Sequence, residues 1–202
     1  MTSRTASGRR IGRNRVFYAT AKRAIDLAGA LVGLLVTALV YVPLAIVIKR
    51  ESPGSVIFAQ ERLGKDGRIF RVYKFRTMWM SPSSHGPKPA AEDNRVTRVG
   101  RFLRRTSIDE LPQFYNILRG EMSLVGPRPE QLPFAAHYQT WQLRRFAVKP
   151  GLTGWWQVNG RKQPMYEHTE YDLYYVEHRS LWLDLIILSR TVRAVITGEG
   201  AI

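Results

Sequence analysis

The 202-residue chain contains no cysteine. That excludes a disulfide framework, a thiolate nucleophile and a cysteine zinc site. Its four histidines, His85, His137, His168 and His178, stand too far apart for a local metal motif, so zinc chemistry is not expected. Acidic residues are few: 16 Asp and Glu face 31 Lys and Arg, a net charge of +15. Such a balance calls for an anionic partner, whether nucleic acid, lipid headgroups or a phosphorylated substrate. No internal repeat is visible.

Charge of either sign is missing from Leu27 to Ile48, LAGALVGLLVTALVYVPLAIVI, a run of 22 positions. At about 1.5 Å per residue a helix of that length reaches the ~30 Å of a bilayer core. The run is too long for a signal peptide and no small-residue cleavage site follows it. Soluble core helices are seldom apolar all round, so the segment is expected to enter membrane. Its flanks are both basic: Arg9, Arg10, Arg13, Arg15, Lys22 and Arg23 before it, Lys49 and Arg50 after it. The positive-inside rule puts each flank in the cytoplasm, which a helix that dips in and returns satisfies and a simple span does not. Pro43 offers a bend; an ordinary span that tolerates its proline is the alternative. Asp26, at the entry edge, is expected to pair with Lys22 or Arg23.

Beyond the turn at Ser52-Pro53-Gly54 the pattern is that of a folded domain. Strands are expected over Val56–Gln60 and Ile69–Met78, joined by a Gly-x-x-Gly turn within Leu63–Arg68. Ser81 to Asn94 (SPSSHGPKPAAEDN) is a surface loop by composition. Helices are expected over Arg95–Arg105, Pro112–Leu118, Phe134–Phe146, Tyr166–Val176 and Ser180–Thr197. The last is apolar with Arg190 and Arg193 along it, a pattern suited to lying on a bilayer surface. Trp79, Trp141, Trp155, Trp156 and Trp182 fit either headgroup-level positions or an ordinary core.

The chemistry gathers around TSIDELPQFYNILRGEMSLVGPRPE, Thr106 to Glu130. Arg98, Arg101, Arg104 and Arg105 lead into the acid pair Asp109-Glu110; Arg119 and Gly126-Pro127-Arg128-Pro129 follow. Arginine's planar fork suits phosphate oxygens, and flanking prolines hold Arg128 in one pose. Carboxylates among arginines can hold a divalent cation that bridges diphosphate oxygens. Ser107-x-x-Glu110 also matches a helix capping box, in which Glu110 would only satisfy a backbone N–H.

These segments, with SPGSVIFAQERLGKDGRIFRVYKFRTM, VKPGLTGWWQVNGR and YDLYYVEHRSLWLDL in the same order, resemble the catalytic domain of bacterial monotopic phosphoglycosyltransferases. The resemblance runs from Lys22-Arg23-x-x-Asp26 nearly to the C-terminus. It implies transfer of a phosphosugar from a UDP-sugar to a polyprenyl phosphate such as undecaprenyl phosphate, with release of UMP and with Mg2+ as cofactor. It implies Asp109 as nucleophile, passing through a covalent aspartyl intermediate with ping-pong kinetics, and Glu110 as the second catalytic acid; both would bind the metal. Arg104, Arg128 and Arg161 would bind phosphate or nucleotide, with Lys74 and Arg76 on the same ground.

Short strands mixed with several helices, joined to a membrane segment, fit an α+β, mostly helical fold. A basic N-terminal segment (1–23) precedes a re-entrant membrane helix (24–50). A small membrane-associated catalytic domain (51–202) follows, with short strands and amphipathic interfacial helices, on the cytoplasmic face of the bacterial inner membrane. With no large membrane domain ahead of the catalytic unit, the chain is expected to be the family's minimal form. Homo-oligomerisation is left open. Two departures stand out: the family's Ser-Pro break aligns with Ala38-Leu39, leaving Pro43 one turn later, and Trp156 replaces a small residue.

Two rival readings remain from the residues alone. A membrane-tethered nucleic-acid binder would use the +15 charge through counterion release, but no recognisable nucleic-acid module is present, and none is expected as a partner. A noncatalytic scaffold that merely binds lipid phosphates predicts that UDP-sugars leave bound metal and thermal stability unchanged.

Overall fold

The computed structural model describes residues 4–79, 95–160 and 165–197, with side chains from residue 16 onward. It is mostly helical, with a few short strands. The first helix, α1 (Arg4–Glu51), is 48 residues long and contains Pro43. Its stretch Val16–Glu51 is long and apolar enough to cross a membrane. The helix begins well before residue 24, so the basic segment and the apolar run are one continuous element.

One stripe of α1, recurring every three or four residues, meets the rest of the chain along almost its whole length. Tyr18 and Lys22 reach Asp184. Ala30 packs with Ile117 and Met122. A Cβ on Gly33 would stand 2.3 Å from the Phe114 ring, so only glycine permits that approach. Thr37 donates to the Leu111 carbonyl at 3.3 Å, and Val40, Leu44 and Ile48 join Phe75 and Leu103 in a second core cluster. Glu51 closes the stripe by accepting from the Arg98 and Val99 amides. The opposite face, with Leu31, Val32, Leu35, Leu39 and Val42, is apolar and exposed. An apolar face of that extent calls for lipid.

The expected pairing of Asp26 with Lys22 or Arg23 is not what forms. Asp26 is buried and accepts from Ser123 Oγ and the Leu124 amide, each at 2.9 Å. Lys22 pairs with Asp184 at 2.9 Å, and Arg23 donates to the Ile117 and Leu118 carbonyls. All three side chains project into the domain, so each finds a long-range partner instead of its helical neighbour.

After α1, β1 (Ile57–Leu63) and β2 (Ile69–Phe75) form an antiparallel hairpin. Its loop turns through Asp66 and Gly67, both at positive φ. Next come α2 (Arg98–Arg105), a 3-10 turn at Ile108–Glu110, and α3 (Gln113–Arg119), which Gly120 ends in the left-handed conformation. The sequence did not announce β3 (Ser123–Val125) and β4 (Gly151–Thr153), a parallel pair of three residues each. This pair fixes the GPRP turn: the Gly126 amide donates to the Thr153 carbonyl and the Gly151 amide to the Pro127 carbonyl. A Cβ on Gly126 would meet the Lys149 carbonyl at 2.5 Å.

The single helix expected over Phe134–Phe146 is also replaced. A short α4 (Leu132–Ala135) and a 3-10 segment, Gln142–Ala147, stand there instead. Gln142 Oε1 takes the Gln139 amide at 2.8 Å, so a side chain captures a donor that a continuous helix would need. The remaining helices are α5 (Trp155–Asn159), α6 (Glu170–His178) and α7 (Leu181–Thr197). The tryptophans divide: Trp156 is buried, whereas Trp79, Trp141 and Trp182 are exposed. The 81–94 loop lies outside the described residues.

Candidate active site

The acid pair is presented by a strained corner. α2 ends at Arg105 with Thr106 as its C-cap, and Ser107 turns the chain with φ 58 and ψ 14, an uncommon conformation for a residue with a Cβ. Ser107 makes no side-chain cap hydrogen bond, and Glu110 does not reach back to it. The capping-box reading of this segment therefore fails.

Glu110 faces two cations. Its Oε1 accepts from Lys74 Nζ at 2.7 Å and from Arg128 Nη2 at 3.2 Å. Lys74 comes from β2 and Arg128 from the GPRP turn, so three separate segments converge on one oxygen. Burial alone would raise the Glu110 carboxyl, but Lys74 and Arg128 outweigh it and hold the group well below the usual carboxylate range. Glu110 is an anion at any physiological pH.

Asp109 is in the contrary state. It is 8% exposed, and its carboxylate makes no hydrogen bond or ion pair among the described residues. Burial pushes it up to about 6; Lys74, Arg104 and Arg128 pull the other way, and Glu110 adds to the rise. Adjacent carboxylates are thus driven apart by their surroundings, one clamped and one left basic, a pattern typical of functional sites.

The other candidates divide. Arg104 donates from Nε to Thr77 Oγ1 at 2.9 Å and acts electrostatically on Asp109. Arg76 is turned elsewhere: its buried guanidinium donates to the Ser52 carbonyl and to the Pro53 carbonyl, the latter at 2.9 Å. It ties the end of β2 to the turn after α1. Arg161 lies outside the described residues.

Sequence reasoning passed over Arg62, which donates to the Pro129 carbonyl at 3.1 Å. Burial, then Arg128 beside it, pushes Arg62 down to about 10. It also passed over Arg145, whose side chain is fully buried. Arg145 pairs with Glu130 at 2.7 Å and Asp172 at 2.5 Å, and it donates to the Arg128 carbonyl at 2.9 Å. Tyr138 completes the group, donating to Glu130 and accepting from Arg145 at 2.7 Å. The backbone of Arg128 is therefore held by two prolines from within the turn and by a buried ion cluster from beneath. Arg145→Gln, which leaves two buried acids without their cation, is expected to cost about 3–5 kcal/mol of folding stability, measurable by denaturant titration in detergent.

Four cations, Lys74, Arg104, Arg128 and Arg62, thus surround two carboxylates. No group of three acidic or histidine ligands forms among the described residues, so a complete protein cage for a metal is not built there. Asp109 and Glu110 Oε2, which take no hydrogen bond among those residues, nonetheless fit magnesium, which commonly takes one or two carboxylates and completes its shell with substrate phosphates and water.

The model of the bacterial sugar transferase family matches residues 17–198. The chain is 43% identical over 192 residues to the UDP-N-acetylgalactosamine-undecaprenyl-phosphate N-acetylgalactosaminephosphotransferase of Aeromonas hydrophila, covering 91% of this chain and 45% of that protein. It is 43% identical over 181 residues to the UDP-glucose:undecaprenyl-phosphate glucose-1-phosphate transferase of Escherichia coli K12, covering 85% and 39%. It is likewise 43% identical over 180 residues to the uncharacterized sugar transferase EpsL of Bacillus subtilis 168, covering 89% of each. The chain spans less than half the length of the first two relatives.

Proposed function

Because the chain belongs to the bacterial sugar transferase family, we propose that it transfers a sugar-1-phosphate from a UDP-sugar to a polyprenyl phosphate, undecaprenyl phosphate in particular, and releases UMP. The observation that carries this reading is the split between the acids: Asp109 buried, unbonded and basic, beside a Glu110 clamped by Lys74 and Arg128.

In the first half-reaction an Asp109 carboxylate oxygen attacks the phosphorus that bears the sugar. The bond from that phosphorus to the bridging oxygen breaks, and UMP leaves with the electron pair. In the second, an oxygen of the lipid phosphate attacks the same phosphorus, and the bond to Asp109 breaks. The products are a lipid diphosphosugar and the free carboxylate. Arg128, Lys74 and Arg104 offset the negative charge that builds on the phosphoryl oxygens and on departing UMP. Glu110 orients Lys74 and Arg128 toward that charge. Magnesium, held by Asp109 and Glu110 Oε2, would neutralise the diphosphate. The direct test is UMP release from UDP-sugar with undecaprenyl phosphate; no release from any of a panel of UDP-sugars would overturn the reading. A panel is needed because relatives named for N-acetylgalactosamine, galactose and glucose are similar at 43%, 42% and 43% identity.

The attacking group must be ionised. Asp109 is pushed up to about 6 in the metal-free chain, and bound magnesium favours its ionised form, so kcat/KM for the UDP-sugar is expected to rise with pH and level off at or below that value. A rate that falls as pH rises from 5 to 7 would contradict the assignment.

Our reading of α1 is re-entrant, with the domain on the cytoplasmic face of the inner membrane. Its inner stripe touches the domain from Tyr18 to Glu51. A perpendicular crossing would drag polar elements packed against Gly33, Thr37 and Leu44 into hydrocarbon, at a cost that a helix lying within one leaflet avoids. Single cysteines placed at residues 15 and 65 of this cysteine-free chain are expected to be labelled only from the cytoplasm. Periplasmic labelling at residue 15 would show that the helix crosses.

A further inference from the structure

Away from the Glu110 cluster, two cations stand together, and no carboxylate pairs with either among the described residues. Lys149 Nζ and Arg23 Nη2 lie 3.3 and 3.5 Å from the point where a Cβ on Gly120 would stand. Gly120 ends α3 at φ 82, a conformation that favours glycine, and its lack of a side chain keeps that point open.

Arg23 uses Nη1 on the Ile117 carbonyl at 2.8 Å and Nη2 on the Leu118 carbonyl at 2.9 Å. A guanidinium has five N–H donors, so others remain. Lys149 has no hydrogen bond or ion pair among the described residues. Lys65, from the loop between β1 and β2, also acts on Lys149, although it is paired with Asp66 at 3.9 Å. Burial first, then Arg23 and Lys65, lowers the Lys149 ammonium from its ordinary value, and Asp26 opposes that shift. Asp26 makes no ion pair with either cation among the described residues; its Oδ1 accepts from Ser123 and Leu124.

The depth of the pair is informative. Arg23 sits one turn before the uncharged run that starts at Leu27, and Ile25 beside it is exposed. The two cations therefore lie where α1 passes from polar to apolar surroundings, the level at which lipid phosphates are found. Two like charges facing one open point repel; a phosphate placed there would replace repulsion with charge-assisted hydrogen bonds.

We propose that Arg23 and Lys149 form a second phosphate site, separate from the Glu110 cluster, that holds the phosphate group of an anionic membrane lipid. The inference stands on this geometry and does not require the transfer reaction. The ligand chemistry fits an ordinary anionic phospholipid and a polyprenyl phosphate alike.

The test uses the full chain in detergent, probed by native mass spectrometry with phosphatidylglycerol, phosphatidylcholine and farnesyl phosphate, and by melting with inorganic phosphate. Lys149 is the residue to change, because Arg23 also caps α3. Wild type is expected to retain one phosphatidylglycerol where phosphatidylcholine is lost. Lys149→Arg should keep that retention. Lys149→Gln should weaken it by roughly tenfold or more, with an unchanged melting temperature in lipid-free detergent. Displacement of phosphatidylglycerol by equimolar farnesyl phosphate would identify the site with prenyl carriers, and failure to displace it with bulk phospholipid; both uphold the site. Equal retention of the two phospholipids, full retention in Lys149→Gln, or inorganic phosphate stabilising the chain as well as either anionic lipid would overturn the proposal.

Discussion

Asp109→Asn is expected to abolish transfer and, with it, the lipid-independent exchange of label between UMP and UDP-sugar, by on the order of 10⁴-fold or more. The amide keeps the shape of the side chain and lacks the attacking oxygen anion. The same variant is expected to be at least as stable as the wild type at pH 8. Burial holds the folded Asp109 carboxyl at about 6 against an ordinary value of 3.8, so the folded state binds its proton more tightly than the unfolded state. Wild-type stability should therefore fall as pH rises from about 4 to about 6, and stay lower above that range. Asparagine has no such loss, so its advantage should be present at pH 8 and fade below pH 4. Melting curves at the two pH values check the sign. A variant clearly less stable than wild type at pH 8 would mean that the Asp109 carboxylate holds the fold together.

Arg128→Lys should lower kcat by about 10²–10³-fold, the order seen when one donor to a developing charge is removed. Arg128 Nη2 reaches Glu110 Oε1 at 3.2 Å, and the rest of its planar fork takes no partner among the described residues, so it can meet a phosphate at the same time. Lysine presents a single charged point and cannot hold both in one pose. The lower cluster of Arg145, Glu130 and Asp172 grips the backbone of Arg128 and not its side chain, so this variant should remain folded and membrane-bound. Single-turnover release of UMP separates the effect from lipid binding. Wild-type turnover in Arg128→Lys would remove the residue from the site.

Much of this arrangement was legible in the sequence because its signals are local. The uncharged run Leu27–Ile48, the hairpin around Gly64 and Gly67, and the acid pair beside fixed arginines each declare themselves within a short window. The parts that escaped depend on distant partners. Arg145 reads as one more surface arginine until Glu130, Tyr138 and Asp172 are brought around it. The strands β3 and β4 are three residues each, too short to show alternation, and their glycines matter only through backbone contact.

Lys74 and Arg76 show how a local rule misleads. Two positions apart on one strand, they should share a face, but β2 ends at Phe75. Lys74 therefore meets Glu110, and Arg76 turns to the carbonyls of Ser52 and Pro53. The side chain of Asp26 illustrates the same limit from α1: helical spacing offers Lys22 as its partner, and packing supplies Ser123.

In the proposed mechanism Asp109 carries the phosphosugar between the two half-reactions. Incubating the chain with UDP-sugar and magnesium in the absence of lipid, then quenching and mapping the peptides by mass spectrometry, tests it most directly. The expected result is one phosphosugar adduct on the Asp109 peptide, formed with one equivalent of UMP and discharged on addition of undecaprenyl phosphate. An adduct on a different residue, or full turnover without any adduct and with UMP appearing only after lipid is added, would contradict it.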